Sequence, residues 1–386
     1  MTPGFRSRDK VFNSGSGAAA NRMTKVLIVN PRGLHFGDRH ATSIDLTVRD
    51  LIMHSRFRDG TTVIGDPIDR PFDGIAYVTR PVGRSDRFYF RIRRLLAMIG
   101  TMAPDVISVQ EHLGTASYLA RHLKTPVVLH LHNPVRQPKN VIERRWRRKA
   151  FAPLNGLIFV SRDHEQSFHD TWPLIATPRH VVPNGLDLAR WHPAPEREKV
   201  VLVVGRAIPE KGILEAAQAL AAALPRHPGW KCVFILSAVA SQSDYVAHIR
   251  RTLEPLGAQA ELLTGQPFAI AKNWNERAAI AVISSRIRET FGRTALEAHA
   301  GGAAVISSGN GGLREVSGEH ALYLPRIGPA EIAQAVERLI ANSAERDRLA
   351  AEGHARALSL FDINATAKTH DAMLKSLVIQ SEKKKS

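Results

Sequence analysis

Eight short apolar runs, separated by longer segments with helical spacing, constrain the fold of this chain more than any other feature. Each run is apolar on both faces, as strands buried in parallel sheets are. Alternation of such strands with amphipathic helices is typical of α/β proteins with helices on both sides of a parallel sheet. The runs are KVLIVN (25–30), DVISVQ (105–110), VVLHLH (127–132), GLIFVS (156–161), VVLVVGR (200–206), CVFILS (232–237), IAVISS (280–285) and AAVISS (303–308).

A chain of 386 residues is long enough for two cores of ordinary size. The segment 187–199 contains Pro193 and Pro195 and interrupts the alternation, which indicates a linker. After residue 328 the spacing of apolar residues is helical to the end of the chain. The sequence predicts an N-terminal Rossmann-like domain at 24–190 and a C-terminal one at 191–365. Residues 1–23 are predicted to be a disordered extension or a misassigned start, with Met23 as the alternative first residue. Residues 366–386 are predicted to form a helix with a basic tail that could pack back on the N-terminal domain.

Composition narrows the class of protein. No run of about 18 uncharged apolar residues is present, and the N-terminus lacks the apolar core of a secretory signal. The single cysteine, Cys232, lies in an apolar run and cannot build a disulfide framework. These features favour a cytoplasmic protein, with a peripheral position at the inner face of the plasma membrane as a further expectation.

The net charge of +17 is concentrated in one half of the chain. Residues 24–190 hold 25 Lys and Arg against 15 Asp and Glu, whereas residues 191–386 hold 24 against 20. Such asymmetry indicates that the N-terminal half meets something anionic. Charge alone leaves nucleic acid, a membrane surface and a phosphorylated substrate open.

The strongest motif is VVGRAIPEKG (203–212). A buried strand ends at Gly205, and two cations, Arg206 and Lys211, then surround the start of a helix predicted over 210–225. The N-terminus of a helix attracts anions, and two adjacent cations suit a diphosphate.

A second motif, RETFGRTALEA (288–298), also follows a strand. Gly292 permits close approach of a ligand to the backbone. Glu289 lies in the loop and Glu297 on the following helix, where carboxylates can accept hydrogen bonds from sugar hydroxyls, as they do from ribose in dinucleotide-binding folds.

A third motif, SGNGGLRE (308–315), again lies between a strand and a helix, and Gly311 and Gly312 expose backbone amides there. Ligands of open α/β sheets bind outside the carboxyl ends of the strands. Three such loops in one domain therefore predict one composite site for a phosphate and a sugar.

In their order and spacing, these motifs and VVPNGLDLARWHP (181–193) resemble glycosyltransferase family 4 over essentially the whole C-terminal domain. The resemblance implies a GT-B architecture, in which two Rossmann-like domains face a cleft, and a retaining hexosyltransferase that uses a nucleotide sugar. By the same resemblance, Arg206 and Lys211 hold the donor diphosphate, Glu289 contacts the hexose and Glu297 the ribose. The backbone at Phe291 and Gly292 lines the donor. No cofactor and no metal ion are expected.

The N-terminal domain matches the family less closely. The loop NPRGLHFG (30–37) stands where the family has a glycine-rich loop, which makes Gly33 and Gly37 weak acceptor-side candidates. His132 corresponds to the family's active-site histidine, and the resemblance gives it the role of positioning the reacting sugar or acceptor. His130 lies two positions earlier on the same strand face and is a weaker candidate.

Two basic stretches, 84–100 and 136–149, carry aromatic residues among their cations. Such segments suit anionic lipid, whereas nucleic acid is not expected because no reader motif is present. The expected partners are a nucleotide-sugar donor, a glycan or glycolipid acceptor of the cell envelope, as in lipopolysaccharide core synthesis, and an anionic membrane. A sugar-nucleotide epimerase and a non-enzymatic basic membrane-binding protein are the alternatives, and a glycosidase would leave the phosphate-binding loops unused.

Overall fold

The computed structural model describes residues 23–37, 41–81, 83, 87–237 and 240–383. The extension predicted at 1–23 lies outside the described residues except for Met23. Residues 84–86 of the first basic stretch and 384–386 of the tail lie outside them as well.

The N-terminal part of the chain forms a parallel sheet of seven strands in the order β3-β2-β1-β4-β5-β6-β7. The order reverses between β1 and β4, where loops that follow two adjacent strands diverge and leave a crevice. The strands are β1 (Val26–Val29), β2 (Thr61–Gly65), β3 (Ala76–Thr79), β4 (Val106–Gln110), β5 (Val127–Leu131), β6 (Gly156–Phe159) and β7 (Arg179–Val181).

Helices cover both faces of this sheet. Alternate residues of β1 explain why: Leu27 and Val29 pack under α2, α3, α4 and α5, whereas Val26 and Ile28 pack under α1 and the last helix of the chain. The helices are α1 (Ser43–His54), α2 (Phe88–Met102), α3 (Leu113–His122), α4 (Val141–Phe151) and α5 (Arg162–Thr171).

The C-terminal part forms a second parallel sheet, of six strands in the order β10-β9-β8-β11-β12-β13. Here the order reverses between β8 and β11. The strands are β8 (Glu198–Arg206), β9 (Lys231–Ser237), β10 (Ala260–Thr264), β11 (Ala278–Ile283), β12 (Ala304–Ser307) and β13 (Leu322–Tyr323). The helices are α6 (Ile213–Ala223), α7 (Ser243–Leu253), α8 (Phe268–Arg277), α9 (Arg293–Ala300), α10 (Gly312–Ser317), α11 (Pro329–Ala341), α12 (Ser343–Leu360) and α13 (Ile363–Lys383).

The predicted fold class is confirmed: two doubly wound parallel sheets with helices on both faces, followed by a helical C-terminal segment. All eight predicted runs are strands. One helix differs from the sequence prediction, because 210–225 is not continuous: Pro209–Lys211 is a 3₁₀ turn, and α6 begins only after Gly212, whose φ is +64°.

The chain passes from one sheet to the other between β7 and β8 and returns at its end. Trp191 is buried in this connection and contributes to the core of the second domain. The last helix, α13, packs on α1 through Leu374 and Leu377. Its Asp371 accepts hydrogen bonds from Ser55 Oγ at 2.6 Å and from the backbone N–H of Arg56 at 2.8 Å, so α13 is fixed to the first domain. None of the helices in the described ranges is long and apolar enough to cross a bilayer.

Candidate donor and acceptor site

Two loops meet at the point where the second sheet reverses its strand order. One follows β8 and carries Arg206 and Lys211, and the other follows β11 and carries Glu289. A Cβ on Gly212 would lie 2.1 Å from the carbonyl oxygen of Ser284, so only glycine lets the two loops approach this closely. Ser284 Oγ also donates to the carbonyl oxygen of Gly212 at 2.8 Å.

Lys211 and Glu289 form an ion pair across these loops, and their side chains are 20% and 16% exposed. Arg206 ends β8 at the same edge and is exposed. The first turn of α6, whose N–H groups carry partial positive charge, begins two residues after Lys211. Two cations and a helix N-terminus therefore lie at one edge of the sheet, and one of these cations is paired with a carboxylate.

The third loop is joined to the second by backbone contacts. Glu289 and Gly311 form a parallel bridge, and the N–H of Gly312 donates to the carbonyl oxygen of Glu289 at 2.8 Å. Gly311 has a φ of +65°, and a Cβ there would lie 2.4 Å from that oxygen. A Cβ on Gly312 would lie 2.6 Å from the Cα of Phe291. The structure thus brings all three predicted motifs together at one edge of the sheet.

The turn into α9 depends on Gly292, which caps the helix with a φ of +104°. A Cβ there would lie 2.7 Å from Leu313. The Phe291 ring is buried and packs edge-on against Phe361 at 5.6 Å between centroids. Only the backbone of Phe291 is therefore free to line a ligand site.

Glu297 is almost fully buried. Arg293 Nε donates to Glu297 Oε1 at 2.8 Å, and the same guanidinium lies 3.5 Å from a carboxylate oxygen of Asp50 on α1. Burial raises the pKa of Glu297, and the charge of Arg293 opposes that rise. Glu297, which is predicted to bind the ribose, is thus held by an arginine that also contacts the N-terminal domain.

His132 follows β5 directly and is buried. Its Nε2 lies 2.8 Å from Gln110 Oε1, and its ring stacks on His130 with 4.1 Å between centroids. Burial, together with the nearby His164, lowers the pKa of His132 to about 3. The imidazole is therefore neutral at physiological pH, which suits positioning better than proton donation. His130 lies deeper, between His132 and His370.

Glu111 has no role in the sequence analysis, yet it organises this part of the cleft. Its carboxylate accepts hydrogen bonds from the backbone N–H groups of His132 and Asn133, the latter at 2.7 Å. Burial raises its pKa, whereas these hydrogen bonds lower it. Its φ of +64° is rare for a residue with a side chain. The signal in the sequence that could have identified Glu111 is an acidic residue directly after the buried strand β4.

The glycines after β1 have different environments. Gly33 has a φ of +78°, and its N–H donates to Asp66 Oδ2 at 2.8 Å. Gly37 packs against the backbone, since a Cβ there would lie 2.2 Å from the carbonyl oxygen of Arg70. Gly33 thus supports a turn beside the cleft, whereas Gly37 supports packing.

The loop after β11 and helix α10 both contact the N-terminal domain. Thr290 Oγ1 donates to the carbonyl oxygen of His132 at 2.7 Å. Arg288 binds both carboxylate oxygens of Asp163 on α5, at 2.7 and 2.9 Å. The Glu315 carboxylate accepts from the backbone N–H of Asp163 at 3.0 Å. Spacing along the chain does not indicate these partners.

Two family models match this chain. The family model described as Glycosyltransferase Family 4 matches residues 56–190, and the model described as Glycosyl transferases group 1 matches residues 188–356. The two matches meet at the connection between the sheets and together extend over both domains.

Individual relatives are distant. A glycogen synthase of Mycobacterium tuberculosis is 31% identical over 196 residues, which are 48% of this chain and 46% of that protein. The chain thus spans about half the length of that relative. A lipopolysaccharide 1,2-N-acetylglucosaminetransferase of Salmonella typhimurium is 24% identical over 74% of this chain and 76% of that protein.

Among solved structures, Anabaena Alr3699/HepE in complex with UDP and glucose superposes with a TM-score of 0.75 over 91% of this chain and 100% of that one, at 18% identity. At this identity the superposition establishes the fold, which is the predicted GT-B arrangement of two Rossmann-like domains. With both family models matched in chain order on that fold, the protein belongs to glycosyltransferase family 4.

Proposed function

We propose that this protein transfers a hexosyl group from a nucleoside-diphosphate sugar to a hydroxyl of a glycan or glycolipid acceptor. The observation that carries the proposal is the convergence of Arg206, Lys211 and Glu289 at the edge where the second sheet reverses its order. Open α/β sheets bind ligands at this place, and both family models describe glycosyltransferases.

Cleavage of the anomeric bond leaves negative charge on the diphosphate. Arg206, Lys211 and the amides at the start of α6 can stabilise that charge as it develops. Lys211 is paired with Glu289. A bound diphosphate would compete for the ammonium group and release the Glu289 carboxylate to accept a hydrogen bond from the hexose.

The finer assignments follow from the family and from the site. We propose retention of anomeric configuration, with departure and attack on the same face, and a metal-independent reaction in which the two cations neutralise the diphosphate. His132, neutral and held by Gln110, positions the reacting groups. Glu297 reaches the ribose when a donor displaces part of its contact with Arg293.

The acceptor is proposed to be an anionic glycan or glycolipid of the cell envelope, as in lipopolysaccharide core synthesis. Two observations favour it: the excess of cations in the N-terminal domain, and the similarity to a lipopolysaccharide sugar transferase over most of both chains.

Thermal unfolding in the presence of UDP-, GDP- and ADP-sugars tests the proposal. A ligand at 100 times its Kd stabilises the folded state by about 2.7 kcal/mol, so one nucleotide series should raise the melting temperature. The Arg206→Ala/Lys211→Ala variant should lose the shift, and EDTA should leave it unchanged. Mass spectrometry of that donor with a lipid extract then separates transfer, which adds the mass of a hexose to the acceptor and releases nucleoside diphosphate, from epimerisation, which changes no mass.

A further inference from the structure

Helices α2 and α4 expose apolar and cationic side chains together, near the cleft. We propose that this surface docks on a bilayer containing anionic phospholipid. The surface, called the α2–α4 face below, consists of Phe88, Tyr89, Phe90, Val141, Ile142, Trp146, Arg145, Arg148 and Lys149. Docking through this face adds a membrane partner to the proposed function and does not depend on the donor site.

Most of α4 is not buried by the domain. Only Ala150 and Phe151, at its end, are buried. Val141, Ile142 and Trp146 are 64%, 79% and 55% exposed. Ile142 and Trp146 stand one turn apart and therefore lie next to each other on the solvent side of the helix. A helix of a parallel α/β domain ordinarily directs its apolar residues to the sheet, so these three have an unusual orientation.

The cations of α4 are arranged around these apolar residues. The helix contains five cations and one acid, Glu143, and that acid is already paired with Arg147 at 3.0 Å. The Arg144 guanidinium lies over the Trp172 ring, 5.8 Å from its centroid. The other three cations, Arg145, Arg148 and Lys149, are exposed. Within α4 no carboxylate remains to neutralise them.

The first turn of α2 supplies the second half of the face. Phe88, Tyr89 and Phe90 are all exposed, while the apolar stripe of α2 that packs on the sheet begins only at Ile92. The Phe88 ring lies 5.8 Å from the ring of His112, which caps α3. Helix α3 contacts both α2 and α4, so it connects the two helices that carry the face.

The position of the face relates it to the acceptor. In a parallel sheet, a helix that follows a strand begins at the carboxyl edge. The exposed apolar residues all lie in the first two turns of α2 and α4, and α4 is joined to His132 by residues 132–140. A bilayer on this face would present the headgroup of an embedded acceptor to the same edge as His132 and Glu111.

The chemistry of the face favours a bilayer over other anionic partners. Transfer of aliphatic side chains such as Val141 and Ile142 from water to the boundary between headgroups and acyl chains is favourable, and neighbouring cations bind anionic headgroups. A nucleic acid satisfies the cations but offers no apolar phase to those side chains. We therefore commit to anionic phospholipid, and binding of another polyanion in its place is an outcome of the test.

The test is co-sedimentation of the full chain with vesicles of phosphatidylglycerol and phosphatidylcholine, or of phosphatidylcholine alone. We expect binding to anionic vesicles in 50 mM salt and its loss at 1 M, where the Debye length is about 3 Å. Arg145→Gln/Arg148→Gln/Lys149→Gln should weaken partitioning about 100-fold, since each engaged cation contributes roughly fivefold. Ile142→Ser/Trp146→Ser should weaken it as well.

The matched control is Arg250→Gln/Arg251→Gln on α7, which removes two exposed cations from the other domain and should leave partitioning unchanged. Each variant is also assayed for the thermal shift with the nucleotide sugar, so that loss of docking is distinguished from loss of the donor site. Absence of binding by the unmodified protein would overturn the proposal. So would equal losses in the α4 and α7 variants, or an oligonucleotide that displaces the vesicles.

Discussion

The ammonium group of Lys211 forms an ion pair with the carboxylate of Glu289, although the two residues are 78 positions apart in the chain. This contact joins the loop after β8 to the loop after β11, at the reversal of the second sheet. It also places the Lys211 ammonium, which can hold a diphosphate, directly beside the Glu289 carboxylate, which can accept a hydrogen bond from a sugar.

The two cations should be essential for transfer and dispensable for folding. Arg206→Ala and Lys211→Ala should each lower kcat/KM by on the order of 10²-fold or more, because each removes charge that stabilises the leaving diphosphate. Steady-state kinetics and thermal unfolding measure the two effects separately. Arg250→Ala is the control for loss of an exposed cation, and near-normal rates in both site variants would exclude the diphosphate clamp.

The two glutamates should differ in their effects. Glu289→Gln should lower kcat, because Glu289 is proposed to face the hexose. Glu297→Gln should chiefly weaken the binding of free nucleoside diphosphate, because Glu297 is proposed to face the ribose. Calorimetric titration of both variants with that nucleotide measures the difference, and equal losses of affinity would contradict the assigned roles.

The glycine between the second and third loops should not tolerate a side chain. Gly311→Ala places a Cβ 2.4 Å from the carbonyl oxygen of Glu289 at a φ of +65°, which costs on the order of 1–3 kcal/mol of folding free energy and displaces the loop. Urea unfolding should show a lower free energy of unfolding, and nucleotide titration should show a lower affinity. Gly100→Ala is the control: it lies in α2 with no atom within 4 Å of its Cβ, and should stabilise the protein by about 0.5–1 kcal/mol. A stable Gly311→Ala variant with normal affinity would contradict the loop geometry.

The buried histidines should make the fold sensitive to acid. Burial lowers the pKa of His132 to about 3 and those of His164 and His370 to about 4. Below the ordinary pKa of about 6.5, the unfolded chain takes up protons that the folded chain excludes, so the free energy of unfolding falls as the pH falls through 6.5. Each such histidine contributes a slope of up to about 1.4 kcal/mol per pH unit.

Urea unfolding at pH 7.5, 6.0 and 5.0 measures that slope. His132→Gln should reduce it by the share of one proton, and His248→Gln, at an exposed position of α7, is the control for substitution of a histidine. A free energy of unfolding that stays constant between pH 7.5 and 5.0 would show that these rings are not buried as neutral groups.

The fold was largely predictable because buried parallel strands carry a continuous apolar signal. The strands that the sequence analysis did not identify lack that signal for physical reasons. β7, β10 and β13 are end strands of their sheets, and β13 has only two residues. β2 begins with two threonines, and β3 is half-exposed.

The candidate site was predictable only in part. The three donor-side motifs follow strands, so the rule for α/β sheets brings them together without knowledge of their contacts. The contact between Arg293 and Asp50, or between Thr290 and His132, joins residues of different domains and depends on how the domains pack. The role of Glu111 depends on a backbone conformation that the sequence does not indicate.

Release of nucleoside diphosphate from a sugar donor tests whether this protein transfers a hexosyl group. The purified protein is incubated with UDP-, GDP- and ADP-hexoses, with and without a glycolipid extract, and the free diphosphate is quantified. We expect release from one nucleotide series, increased by the acceptor and lowered on the order of 10²-fold or more by Lys211→Ala. No release from any of the three donors with acceptor present, or release that Lys211→Ala leaves unchanged, would contradict it.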